Sequence, residues 1–385
     1  MGELLLDRSN NTGALEAFRA ALALDPNHLS GLLGLAASQY FDHSPAAAET
    51  ARRCLELQPN FVPARVFLAK LLIDGEEYQS AEAHLREALA INPLAPKART
   101  ALAAIPFLPG APERSQALIN ALGPTVPGYR GLFVTLAEVA SRNRRYPEAQ
   151  RFAATAVRLD PSAWRAHALL GQTLLRLGGM EAGRRSLEAA FRGDPYDVRT
   201  RNILELLDRL DRFAERRSEH FILTAERGEA EVLAERLLPI AEQAYAFFTD
   251  RYGNQPRTPI RIEVYSRHED FSVRTVGLVG LDIVGVSFGP VIALDSPSSG
   301  AFGPFNWASA IWHEIAHSFH PDLTRGHVPR WFTEGLAVYE ERLARPGWGT
   351  ELSPGVLRAF LERPRAPARH PLRAFLRLIP PGPIP

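Results

Sequence analysis

Ala149-Gln150-Arg151-Phe152-Ala153-Ala154-Thr155-Ala156-Val157-Arg158-Leu159-Asp160-Pro161 is the stretch that decides how the first half of this chain folds. Its proline belongs to a series: Pro26, Pro59, Pro93, Pro127, Pro161 and Pro195 follow one another at steps of 33, 34, 34, 34 and 34 residues. A small residue stands twelve places before most of these prolines (Ala14, Ala47, Ala81, Ala149 and Gly183), and another five before (Ala21, Cys54, Ala88, Ala156 and Ala190). Eight before comes Phe18, Leu85 or Leu187 in three of the units. Small residues at helical spacing let two helices approach closely, and a proline just past the last turn cannot continue a helix. The pattern predicts a repeated helix–turn–helix unit, each proline closing the second helix.

A period of 34 residues with these features resembles the tetratricopeptide repeat, and Gly171 falls at the glycine position of the first helix as in that family. The resemblance implies an all-α superhelical solenoid over residues 1–216 whose concave surface takes a peptide or partner protein. Packing support for the following domain is an equally natural use. The fourth unit departs from the pattern. Pro106, Pro109, Pro112 and Pro124 crowd it and Ser115, Ile119 and Leu122 fill its key positions, which predicts a distorted repeat or a kink. The first unit has only a stub around residues 3–7 for its first helix, so the chain is expected to begin inside a repeat. Asp197 is a plausible N-cap for a terminal helix running to Arg216, with Ile203, Leu204, Leu206, Leu207 and Leu210 as its apolar stripe. Cys54 reads as a small residue packed in a helix.

Composition excludes more than it assigns. With 385 residues, 46% hydrophobic and 23% charged, the chain has the make-up of an ordinary globular protein of two or three domains. The net charge is +1 and the 44 basic residues are interleaved with 43 acidic ones, so neither nucleic acid nor an anionic membrane is an expected partner. Lys70 and Lys97 are the only lysines, which with the alanine content suggests a GC-rich bacterial genome. A single cysteine excludes an internal disulfide framework and any multi-cysteine metal site. No apolar run reaches the length of a membrane span, and residues 1–4 lack the charged start of a signal peptide. Compartment stays open, export included.

From Ser218 the pattern changes. Residues 220–224, 260–265, 286–288 and 291–294 read as strands and 229–252 as a long helix, while 271–281 is ambiguous. A loop at 296–300 then leads into Trp312-His313-Glu314-Ile315-Ala316-His317, inside an apolar, proline-free run over 306–319. On a helix, His313 and His317 share one face about one turn apart, where two imidazoles can hold a zinc ion with Glu314 placed to act on its water. The third ligand must come from elsewhere. Glu334, seventeen after His317 and near the start of a second amphipathic run over 331–343, is the obvious supplier once the loop with Pro321, Gly326 and Pro329 turns the chain back. A helix whose histidines pack or cap, with Glu314 solvated, is the alternative.

The order of strands, His-Glu-x-x-His helix and Glu-bearing helix resembles the gluzincin metallopeptidases, nearest the peptidase MA-like domain and more distantly the aminopeptidase N family. The segment Trp331-Phe332-Thr333-Glu334-Gly335-Leu336-Ala337 looks like that family's Trp-x-x-Glu-Gly-x-Ala motif. The resemblance implies an α+β zincin-like domain over 217–385, C-terminally incomplete, that hydrolyses peptide bonds. In it His313, His317 and Glu334 bind Zn2+, and Glu314 takes a proton from the attacking water and passes it to the leaving amine. The strand region 285–294 would be the edge that aligns an extended peptide. Glu341, seven after Glu334, could accept a hydrogen bond from a ligand imidazole, or be a solvated glutamate. There are departures: the spacing between His317 and Glu334 is slightly short, and no Gly-x-Met-Glu-Asn motif precedes the helix. The group that steadies the oxyanion also has no clear match. His370 is the late candidate, and Tyr339 fits a buried core position better. His320 is read as a helix C-terminal histidine rather than an extra ligand, and His220, His268 and His327 receive no role. The rival to the peptidase is a scaffold protein whose array binds partners while the zincin-like part is structural or inactive.

Overall fold

The computed structural model describes residues 1–123, 129–300, 305–324 and 326–349. Helical hairpins fill its first half. They are α1 (Gly2–Asp7) with α2 (Asn11–Leu24), α3 (Leu29–Phe41) with α4 (Ala46–Leu57), and α5 (Val62–Asp74) with α6 (Tyr78–Ile91). The series continues with α7 (Pro96–Ala104) and α8 (Pro112–Leu122), α9 (Tyr129–Arg142) and α10 (Tyr146–Leu159), and α11 (Trp164–Arg176) and α12 (Met180–Gly193). Every small residue at the two key positions is buried except Ala21, which is half-exposed. Cys54 is buried with Leu32 and Ala64, as a packed helical residue.

The close approach is sharpest where Gly171 on α11 faces Gly183 on α12. A Cβ on Gly171 would lie 2.6 Å from Leu187 Cγ and 2.9 Å from the Gly183 carbonyl oxygen. Backbone cannot yield as a side chain can, so Gly171→Ala is expected to destabilise the protein by about 1–3 kcal/mol. A lower urea midpoint with an unchanged slope would be the sign of it; an unchanged midpoint would mean the hairpin opens without cost. The fourth unit is distorted as expected. Its α7 is short and runs into a 3-10 turn at Ile105–Phe107, and the Ser115 hydroxyl donates to the Ala103 carbonyl at 2.5 Å. Pro124 and Pro127 lie outside the described residues.

Each hairpin turns through one residue in the left-handed region: Ser9, His43, Glu76, Gly110, Arg144 and Gly178, with φ from 54° to 96°. These turns share one edge of the array. Four consecutive ones meet the second half of the chain. The Glu76 carboxylate accepts the Arg330 backbone N–H at 2.9 Å, Gly110 lies against the His327 ring, Arg144 donates to Glu334 and Gly178 faces Val291. The superhelix also brings its first hairpin to its last: Arg8 pairs with Asp194 at 2.6 Å and Asp7 with Arg165 at 3.8 Å.

The terminal helix expected to reach Arg216 ends sooner. Asp197 caps α13 (Val198–Arg209), accepting from the Arg199 N–H at 3.1 Å, and a 3-10 turn at Leu210–Arg212 follows. After Leu210 the apolar stripe runs out, and Phe213–Arg217 becomes strand β1 instead. The sheet therefore starts before residue 217.

Strands β2 (Phe221–Glu226), β3 (Ile260–Tyr265), β4 (Gly285–Ser287) and β5 (Val291–Asp295) complete a five-stranded sheet in the order β1-β2-β3-β5-β4 among the described residues. The inner strands β2, β3 and β5 run parallel, joined through α14 (Ala230–Tyr252) and α15 (His268–Val276), while β1 and β4 lie antiparallel at the edges. The segment left ambiguous by the sequence thus begins with a helix. A parallel core needs cover on both faces. Ile260, Ile262, Val264, Ile292 and Leu294 point to α14 and to α16 (Trp307–Thr324). Tyr265, Val291 and Ala293 alternate to the other face, against Leu175, Ile203, Leu206 and Leu207 of the array. The last helices of the solenoid are the third layer of this sheet. The described chain closes with α17 (Arg330–Ala344).

Candidate metal centre

Helix α16 buries Ile311, Ile315, Ala316 and Phe319 in the core and turns His313 and His317 toward a cleft of about 630 Å³. The chain reverses and α17 brings Glu334 opposite them. His313 Nε2 and His317 Nε2 are 3.0 Å apart, and Glu334 Oε2 lies 3.4 Å and 3.2 Å from them. Four tetrahedral ligands at the zinc–nitrogen distance stand about 3.3 Å from one another. The triangle therefore fits such an ion. It is the one His/Cys/Asp/Glu group of this kind among the described residues.

Each imidazole is held from behind. Glu341 Oε1 accepts from His313 Nδ1 at 2.7 Å, and its other oxygen takes the Ser309 hydroxyl. His317 Nδ1 lies 3.0 Å from Thr333 Oγ1, which is itself 2.7 Å from His320 Nδ1. His320 Nε2 then meets the Tyr252 hydroxyl at 3.2 Å, and that hydroxyl donates to Glu340 at 3.0 Å. One proton arrangement satisfies the whole chain. His317 donates from Nδ1 to Thr333, Thr333 donates to His320, His320 donates to Tyr252, and Tyr252 donates to Glu340. With Nδ1 donating in each, both histidines turn Nε2 to the same point, which can carry a proton or, once deprotonated, hold a cation.

The local electrostatics agree with a cation site. Burial lowers the His313 pKa, but Glu334 and Glu341 outweigh it and push it up to about 10. Burial raises the Glu334 carboxyl, yet His313, His317 and Arg144 hold it well below the usual carboxylate range. Burial pushes the Glu314 pKa up. His320 is driven down to about 3 by burial and by the neighbouring histidines, which keeps it neutral as the relay requires.

Glu314 lines the same cleft beside β4, where a Cβ on Gly285 would lie 3.0 Å from its Oε1; the glycine leaves the carboxylate its room. The cleft wall is 283–287, so only β4 is an edge strand; β5, included in the expected edge, is interior and wholly buried. Helix α16 does not stop before Pro321 but continues to Thr324, which places His320 inside the helix and 2% exposed. It is thus neither helix-terminal nor part of the ligand triangle. Tyr339 is 44% exposed under the Arg251 guanidinium, not in the core, and does not line the cleft. His370 lies outside the described residues. Sequence reasoning missed Arg144, Thr333, Tyr252 and Glu340. Of these Thr333 alone carried a signal, since it adjoins Glu334 in the motif.

A family model for the tetratricopeptide repeat matches residues 134–198. Among solved structures the chain is similar to YrrB, described as a TPR protein with an unusual peptide-binding site, at 16% identity over 46% of this chain and 93% of that one, TM-score 0.28. It is similar to MamA at 17% identity over 51% and 95%, TM-score 0.26. A third is a tetratricopeptide repeat protein from Parabacteroides merdae, at 14% identity over 54% and 84%, TM-score 0.31. No curated protein matches the chain. The N-terminal region is a tetratricopeptide repeat solenoid, and an α/β region follows it.

Proposed function

We propose that this protein is a zinc-dependent peptidase of the gluzincin type. The observation that carries the reading is the triangle of His313 Nε2, His317 Nε2 and Glu334 Oε2 at 3.0–3.4 Å, with both imidazoles fixed through Nδ1. Zinc held by these residues supplies a Lewis acid and lowers the pKa of water. Glu314 receives the proton of the attacking water and carries it to the leaving amine. Glu341 and Thr333 orient the two imidazoles, and edge strand β4 offers backbone hydrogen bonds to an extended peptide along the cleft.

Elemental analysis of the purified chain tests the site. Stoichiometric zinc is expected in the unaltered protein and its loss in His317→Ala, with helical circular dichroism unchanged. No zinc in either, even after incubation with the metal, would sink the peptidase reading.

A second reading, a scaffold whose array binds partner proteins, is favoured by a separate observation. Leu24, Leu57, Ile91 and Leu159 recur at one repeat position and stay exposed at the ends of α2, α4, α6 and α10. Partner capture that is lost when Leu57 and Ile91 become serine, with no peptide hydrolysis, would support it.

A further inference from the structure

Resting on the metal-site reading above, we propose that Arg144 of the repeat array is a positioning residue of the metal centre, holding Glu334 so that a single carboxylate oxygen faces the histidines. The two oxygens of Glu334 have different partners. Oε2 stands 3.4 Å from His313 Nε2 and 3.2 Å from His317 Nε2, whereas Oε1 accepts from Arg144 Nη1 at 3.0 Å. A carboxylate free to rotate can swing both oxygens onto one ion. With its second oxygen in a charge-assisted hydrogen bond, it does so only by breaking that bond. One oxygen per carboxylate leaves a coordination position open, the feature that separates catalytic from structural zinc sites.

The turn beneath Arg144 places it at the α/β region. Arg144 sits between α9 and α10 with φ +57°, the left-handed position that Ser9, His43, Glu76, Gly110 and Gly178 hold in the other hairpins. Both flanks of the turn are pinned. The Arg142 carbonyl accepts from Arg330 Nη2 at 2.9 Å, and Arg145 Nη1 reaches the Leu108 carbonyl at 3.3 Å and the Gly326 carbonyl at 3.5 Å. Arg144 itself is 41% exposed and lines the cleft, so burial in the interface does not explain it. The site is completed by a residue from the solenoid.

Cobalt(II) titration of the 385-residue chain tests this, because cobalt absorbs visible light more strongly in four-coordinate than in five-coordinate sites. Arg144→Ala is expected to weaken metal affinity by about 10–100-fold and to lower the absorption as Glu334 turns bidentate. Arg144→Lys should recover most of both, since a single hydrogen bond is needed. Glu76→Ala, which removes the acceptor of the Arg330 N–H at the same interface without touching the centre, should change neither. An Arg144→Ala protein with unaltered affinity and spectrum, or a Glu76→Ala protein altered equally, overturns the inference while leaving the metal site standing. An unaltered chain that binds no metal overturns the metal-site reading and this inference with it.

Discussion

Glu314→Gln is expected to lower kcat for peptide hydrolysis by about 10²–10⁴-fold, the range in which a positioned proton-transfer group contributes, with zinc content unchanged. The amide keeps the shape of the carboxylate and fits the room left by Gly285, so the fold and the ligand triangle have no reason to move. What it loses is the ability to accept a proton. A buried carboxyl with a raised pKa is suited to hold that proton between two steps, which the amide cannot do. Hydrolysis of a fluorogenic peptide library, followed alongside metal analysis, separates the outcomes. Undiminished turnover at full zinc content would remove Glu314 from the chemistry and point to another base. A parallel loss of zinc would mean the substitution disturbed the site itself.

Arg274→Ala should be the most damaging substitution away from the candidate metal site, costing about 3–5 kcal/mol, as expected when one partner of a buried ion pair is removed. Arg274 is 1% exposed; its Nε donates to Glu263 Oε2 at 2.7 Å and its Nη2 to the Leu175 carbonyl at 3.0 Å. Without it, the Glu263 carboxylate stays buried with the Tyr265 hydroxyl, at 2.9 Å, as its remaining hydrogen-bond donor. The guanidinium also ties α15 and the sheet to helix α11 of the array. Urea unfolding of Arg274→Ala should therefore show a lower midpoint and a separation into two transitions, α/β region first. Replacing both Glu263 and Arg274 by leucine should recover much of the loss, because no uncompensated charge then remains. A single unshifted transition in Arg274→Ala would show that this ion pair does not hold the two parts together.

What could be read from the chain divides along a physical line. The prolines at 33 and 34 residues and the small residues five and twelve before them gave the hairpins, because a solenoid repeats one local solution. That His313, His317 and Glu334 would come together was legible because a His-Glu-x-x-His helix followed by a Glu-bearing helix constrains residue type and spacing together. Glu341 was legible in part, since its position on the face of Glu334 follows from helical period. Other features depend on contacts that no local spacing encodes. The change from helix to strand at Phe213 is decided by pairing with β2, and the continuation of α16 through Pro321 by the packing of His320 against Thr333 and Tyr252. Arg144 lies 190 residues from its partner Glu334 and in a different structural layer. Tyr339 carried an apolar ring at helical spacing, and only the surrounding elements decide that it faces outward.

The seating of four consecutive hairpin turns on the α/β region changes what kind of object the array is. An open solenoid is a ruler of adjustable length: a unit can be inserted or lost and the remaining units keep their own neighbours. Here four consecutive hairpin turns are indexed to fixed marks on the α/β region. Deleting a unit between Glu76 and Gly178 would carry its neighbours one pitch past marks that cannot follow, Arg144 and Glu334 among them. The spacing of those four units is therefore set by the surface they mesh with, as the teeth of a gear are set by its partner.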